Sequence, residues 1–152
     1  MIVRAMPPEH YPWLAVRAQL TIGPEFRAIE AIDDAGRILA AVGYDGWAPN
    51  SVSMHVALEH PAALRHILRP AFRIPFVEFN KGVVFGTVLA TNEKALRLDL
   101  HVGFREVARL KDAWAPGVDV LILEMRREDC RWIGQGRRNG AVASGENERE
   151  AA

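Results

Sequence analysis

The stretch VVFGTVLATNEKALRLDLHVGF, residues 83–104, changes its periodicity in the middle. Residues 83–90 form a continuous apolar run of the kind that fills a central strand covered on both faces. Thr91 and Asn92 interrupt it, and from Glu93 onward the positions fall into register at about 100° per residue, the spacing of a helix. Ala95, Leu96, Leu98, Leu100 and Val102 then share one broad arc, while Glu93, Lys94, Arg97 and His101 gather opposite, as on a surface helix of a globular domain. Gly103 supplies a helix end and Phe104 an apolar residue that packs back on it. Asp99 breaks the pattern, because it lands in the middle of the apolar arc. A carboxylate placed there must be neutralised by a partner or by a proton.

Outward from this strand and helix, the chain alternates between the two periods. IVRAM near the N-terminus reads as a short strand, and PPEHYPWLAVRAQL as a helix with a proline-marked start. FRAIEAID and ILAAVGYDGW flank the turn DDAGR and predict a hairpin. SVSMHVALEH alternates strictly, with Val52, Met54, Val56 and Leu58 on one face and Ser51, Ser53, His55, Ala57 and Glu59 on the other. PAALRHIL opens a helical segment reaching Val77, which Pro70 and Pro75 are expected to break or bend. REVARLKDAW and VDVLILEMRR, joined by APG, predict a closing hairpin. The order β, α, ββ, β, α, β, α, ββ is a mixed α/β or α+β plan. One domain is expected over residues 1–132, followed by a polar, glycine-bearing tail over 133–152 with the composition of disorder.

Composition narrows the function. In 152 residues with 49% apolar and 25% charged side chains there is room for one soluble domain with a real core. Nineteen basic and nineteen acidic residues cancel, which disfavours nucleic acid and anionic membranes as partners. A single cysteine, Cys130, forms no internal disulfide and suits a reducing cytoplasm. No apolar run is long enough to span a membrane, and the start lacks the apolar core of a signal peptide.

The strand VVFGTVLAT, then Asn92, Ala95 and Gly103-Phe104, then a hairpin, resembles the C-terminal half of the GNAT superfamily of acetyl-CoA-dependent N-acetyltransferases, and the element order extends the resemblance over residues 26–130. YDGWAPNSVSMHV and EMRREDCRWI are in addition similar to small GNAT-like proteins encoded by tailed bacteriophages. The resemblance implies a mostly antiparallel mixed sheet whose two middle strands, around Val56 and Phe85, run parallel and splay into a cleft. It implies acetyl transfer to an amine of a small molecule or a protein, a cytoplasmic setting in a bacterium or a phage host, and admits a homodimer. Backbone groups of Val56, Ala57 and Leu58 would hold the pantetheine arm of acetyl-CoA as an added strand would. Asn92 would touch the cofactor.

Two departures from the family pattern stand out. Where many members carry a glycine-rich loop that wraps the pyrophosphate, this chain reads LEHPAALRHIL, so phosphate capture would fall to the N–H groups of Ala62, Ala63 and Leu64, aided by Arg65. Asp99 stands where many members carry a tyrosine that protonates the departing thiolate. Asp99 is thus either the ion-pair partner of Arg65, Arg69 or Arg73, or a desolvated acid with a raised pKa. On the polar face of the strand His55 or Glu59 would serve as base, with His60 a weaker candidate; against this stands a core histidine bonded to backbone. Tyr44, Asp45, Trp47 and Asn50 surround the loop where the family places part of its acceptor pocket, and an aromatic ring beside an acid suits a cationic amine. No metal site is expected, since His60 falls on the wrong face to join His55 and Glu59. Arg126, Arg127, Arg131, Arg137 and Arg138 are interrupted by acids and read as a solvated face. The alternative to an enzyme is a binding or phage-particle protein that keeps the fold without its chemistry.

Overall fold

A computed structural model of the protein describes residues 1–134. Seven strands, β1 (Ile2–Ala5), β2 (Arg27–Ile32), β3 (Ile38–Asp45), β4 (Ser51–Leu58), β5 (Val83–Leu89), β6 (Arg105–Ala115) and β7 (Val118–Arg126), form one sheet in the order β1-β2-β3-β4-β5-β7-β6. Every neighbouring pair is antiparallel except β4 and β5, whose parallel pairing needs a crossover, supplied by α2 (Leu64–Arg73). The remaining helices are α1 (Tyr11–Ala18) and α3 (Glu93–Val102). Mixed sheet, central parallel pair and closing hairpin agree with the expected architecture.

The alternation along β4 sorts the core into two layers. Val52 and Met54 face α2 and α3, joining Ile67, Phe72, Val84, Leu121 and Phe104. Ala57, from the opposite face, lies under α1 with Leu14, Phe26 and Ala41. α3 begins at Asn92, whose side chain accepts the N–H of Ala95, and ends at Gly103, which adopts φ 120, a value that L side chains rarely adopt. No helix among the described residues is long and apolar enough to cross a membrane.

The prolines of the second helix do less damage than expected. α2 runs unbroken through Pro70 to Arg73 and passes directly into a π-helical turn, Ile74–Glu78. Burial of Ile67, Leu68, Ala71 and Phe72 along one face holds the segment across the hydrogen bond that Pro70 removes. Pro75, four residues beyond Ala71, has no N–H to offer the Ala71 carbonyl. The Tyr44 hydroxyl, fully buried, donates there at 2.6 Å. Tyr44 is therefore a strut between β3 and α2, and it is not among the residues lining the cavity between β4 and β5. Burial also pushes its phenol pKa far up, with Glu78 adding to the effect.

Past β7 the chain stays attached to the core for a short distance. Trp132 donates its indole N–H to the Val102 carbonyl at 2.9 Å, and Ile133 packs on the same cluster. The packed chain thus runs one residue past the expected boundary at 132. The rest of the expected tail, from residue 135 on, lies outside the described residues, as do Arg137 and Arg138.

Tyr44→Phe tests the strut. Removing one partner from a buried hydrogen bond costs about 1–2 kcal/mol. Urea denaturation of the variant should show that loss with an unchanged m-value, and a stability equal to that of the parent would mean that the Ala71 carbonyl finds another donor.

Candidate active site

The parallel pairing of β4 and β5 covers only three residue pairs, Ser51 with Val83, Val52 with Val84 and Ser53 with Phe85. Beyond them the strands part. Gly86 stands at the fork, where an added Cβ would come within 3.2 Å of the Met54 carbonyl oxygen, so the strands separate at a point of close backbone approach. Hydrogen-bond parity then fixes which groups face the gap. Glu59 donates its N–H to the Leu39 carbonyl at 2.9 Å, so Ala57 and His55, two and four residues back, also direct their backbone to β3. Val56 and Leu58 aim N–H and C=O the other way, into the space β5 has left. Of the three residues expected to present backbone to a cofactor arm, Ala57 is therefore turned away: its backbone faces Ala41 and its side chain is buried under α1.

The gap is a cavity of about 350 Å³ that brings together His55, Val56, Asn92 and Asp99. Arg17 and Gln19 from the end of α1, Thr87 from β5 and Trp114 from β6 complete its walls. Asn92 spends its side-chain oxygen on the Ala95 N–H at 3.2 Å, which leaves its NH₂ group as the donor toward the cavity.

Asp99 has no ion pair or side-chain hydrogen bond with any described residue. The arginine partner expected from α2 is excluded by helix geometry. Ile67, Leu68, Ala71 and Phe72 occupy the buried face, so Arg65, Arg69 and Arg73, spaced by four, share the outer, exposed face. Asp99 instead borders both the cavity and a small apolar pocket beneath it, beside Met54, Leu98 and Phe104. Burial alone raises its pKa from 3.8 to about 6. About a tenth of the molecules then carry the proton at pH 7.

His55 does not bond to backbone, as a core histidine was expected to do. Its Nε2 lies 2.7 Å from Oδ1 of Asp45, reached diagonally across the β3–β4 ladder, in which His55 pairs with Gly43 and Asp45 with Ser53. A neutral imidazole in this arrangement donates Nε2–H to the carboxylate and keeps Nδ1 as an acceptor. The polarity of the strand face is thus resolved by a carboxylate–imidazole pair that opens on the cavity.

The other expected site residues lie elsewhere. Glu59 is at the surface, accepting from Arg17 Nε at 3.1 Å, outside the cavity. The N–H groups of Ala62, Ala63 and Leu64 are already used: Ala62 donates to His60 Nδ1 at 3.3 Å, Ala63 to the His60 carbonyl at 3.0 Å, and Leu64 to the Pro61 carbonyl. Arg65 is exposed and directs Nε to His66. Trp47 donates its indole N–H to the Glu25 carbonyl and packs on Phe79 at 4.9 Å. Asn50 is exposed, its carbonyl accepting from Gly82 and Val83. Of the four residues expected around an acceptor, only Asp45 is tied to the cavity, through His55. The basic run is bound locally, Arg126 to Glu124 and Glu128, Arg127 to Asn80 and Arg131 to the His101 carbonyl. Among the described residues no three His, Cys, Asp or Glu side chains are grouped to hold a metal ion.

Arg17, Gln19, Thr87 and Trp114 went unread in the sequence because each enters through tertiary contact. Trp114 alone left a trace, as a large aromatic on a strand with few buried positions, and it is 55% exposed.

The raised pKa of Asp99 has a definite sign in stability. The folded carboxyl holds its proton more tightly than the unfolded one, so the native state loses stability as pH rises from about 3.8 to about 6 and the penalty is constant above. Asp99→Asn removes that penalty. The variant should match the parent near pH 3 and exceed it by about 3 kcal/mol at pH 7, measured by chemical denaturation across the range. A variant less stable than the parent at pH 7 would show that the carboxylate has a cationic partner in solution.

No protein-family model and no curated protein matches the sequence. Solved structures match the fold. The spermidine/spermine N-acetyltransferase SpeG from Vibrio cholerae in complex with manganese ions superposes with a TM-score of 0.68 at 14% identity, over 82% of this chain and 91% of that one. The Vibrio cholerae spermidine N-acetyltransferase in complex with CoA and spermine gives 0.69 at 13% identity, over 84% and 96%. A dodecameric structure of the Vibrio cholerae enzyme in an intermediate state gives 0.69 at 13% identity, over 89% and 97%. At such identities the likeness is one of architecture, and the chain has the GNAT acetyltransferase fold.

Proposed function

We propose that the protein is an acetyl-CoA-dependent N-acetyltransferase that acts on an amine of a small molecule or a protein. The observation that carries this reading is the edge of β4 that β5 leaves unpaired, on which Val56 presents backbone groups to a cavity lined by both Asp99 and His55, with those of Leu58 next along the same edge. A structure of the same fold holds CoA and spermine together, which supports both a thioester donor and an amine acceptor.

The fit of acetyl-CoA to the residues present is uneven. Val56 and Leu58 suit the two amides of its pantetheine arm, and the Asn92 NH₂ group adds a donor beside α3. The start of α2 does not suit its pyrophosphate, since the N–H groups there are engaged. When bound, the cofactor supplies an activated acetyl group on sulfur. His55, oriented by Asp45, accepts a proton from the ammonium form of the acceptor at Nδ1, directly or through a water, and exposes the lone pair that attacks. Asp99, whose burial raises its carboxyl pKa to about 6, would be the residue able to hold a proton for the leaving thiolate, the role that the resemblance gives to a tyrosine. A lone thiol and acetyl-CoA chemistry are consistent with a bacterial or phage-host cytoplasm as the setting.

The second reading, a retained fold without acetyl transfer, draws on the engaged N–H groups at α2. Ligand linkage separates the two. Acetyl-CoA at about 100 times its dissociation constant should stabilise the fold by roughly 2.7 kcal/mol, seen as a rise in melting temperature, and no rise at millimolar ligand would favour the second reading. With an acceptor in hand, Asp99→Asn should fold well and transfer acetyl about 100-fold more slowly, as expected on losing a positioned acid. Full activity in that variant would remove Asp99 from the chemistry.

A further inference from the structure

The cavity between β4 and β5 shares Arg17 with a second and more open one of about 600 Å³, lined from α1, β3 and the end of β4. This second cavity starts where the free edge of β4 ends. Glu59 and His60, the residues that follow the strand, line it, and Trp13, His10 and Arg37 complete the part used here. About 13 Å of strand separates His55 from Glu59, so an extended arm whose reactive end lies at His55 emerges beside Arg17. The way straight ahead, onto the first turn of α2, is closed, because His60 Nδ1 and the carbonyls of His60 and Pro61 already accept the N–H groups of Ala62, Ala63 and Leu64.

We infer that the second cavity is the subsite for the phosphate-bearing end of the acyl donor, with Arg17 and Arg37 binding phosphate. The inference rests on the acetyl-transfer reading and replaces a backbone phosphate cradle with side chains. Arg17 lies over the Trp13 indole, its guanidinium carbon 4.0 Å from the ring centre, and is fixed there by Nη1 donating to the Trp13 carbonyl and Nε to Glu59. That leaves Nη2 as its unassigned donor group. Arg37 stands across the cavity, 79% exposed, with Nε on Asp33 at 2.7 Å. Both arginines are held by a carboxylate at the surface, where such pairs are weak and a phosphate carrying more charge displaces them. Glu59 therefore competes with the ligand. This gives the subsite a signature of opposite signs: losing an arginine weakens binding, and losing the Glu59 charge strengthens it.

Titration calorimetry with coenzyme A, dephospho-coenzyme A and pantetheine tests the assignment on the whole chain without any acceptor. Coenzyme A should bind at least tenfold more tightly than pantetheine, with the advantage shrinking as salt rises. Arg37→Ala should weaken coenzyme A by about three- to tenfold and leave pantetheine unchanged, while Glu59→Gln should tighten coenzyme A. Both side chains are exposed, so melting temperatures close to the parent's are expected and would verify the fold. Parent-like affinity for coenzyme A in both variants would overturn the inference. So would a loss confined to Arg65→Ala, which would put the phosphates on the outer face of α2. Coenzyme A binding no more tightly than pantetheine would overturn the subsite and leave the acetyl-transfer reading intact, whereas binding of neither ligand would end both.

Discussion

Everything at the candidate site depends on where a parallel strand pair stops pairing. A strand in the middle of a sheet normally has both edges satisfied, and an unpaired central edge is costly because its N–H and C=O groups are removed from water without partners. Here β4 and β5 stay together for three pairs and then diverge, leaving the backbone groups of Val56 directed into a cavity and those of Leu58 without a neighbouring strand. The sheet survives the opening because its outer parts are tied independently, β5 to β7 along seven residue pairs on one side and β4 to β3 along six on the other. Two well-made half-sheets hold an ill-made seam between them, and the seam is where a ligand with a peptide-like arm is accommodated.

The architecture was legible in the sequence because each element carries its own period. The change from an apolar run to helical spacing at Asn92 and the strict alternation of residues 51–58 fixed the element types, and the Gly103-Phe104 ending fixed the helix terminus. Residues whose position follows from one element were also placed well: His55 on the polar face of β4, Asn92 at the start of α3, Asp99 on its inward face. Partners were not legible, since they depend on elements far apart in the chain. Asp99 was offered an arginine that helical phase turns to solvent, and His55 a backbone acceptor where the register instead supplies Asp45. Tyr44 and Trp47 read as residues around an acceptor loop because nothing local shows that the Ala71 carbonyl or the Glu25 carbonyl lies within reach of their polar groups.

The N-terminus of α2 shows how a sequence departure becomes a physical one. A loop without glycine cannot bring successive N–H groups to a shared focus, and here the chain satisfies them from within, using the side chain of His60 and two carbonyls. A helix start closed in this manner has its first N–H groups satisfied within the chain, through the short turn that His60 caps. It also removes the anion site that the fold elsewhere offers, so any charged tail of a ligand must be met by side chains.

Tyr44 and Asp45 are neighbours on one strand, and neighbours on a strand point to opposite faces. One reaches through the layer beneath the sheet to the carbonyl that Pro75 cannot serve, the other across the opposite face to the imidazole of His55. The end of β3 is thereby gripped from both sides at once, and a proline in a helix far from the cavity sets the position of the carboxylate that aims the histidine. The accuracy of the pair is thus borrowed from packing on the far side of the sheet, and drift in α2 would reach the cavity as a rotation of an imidazole.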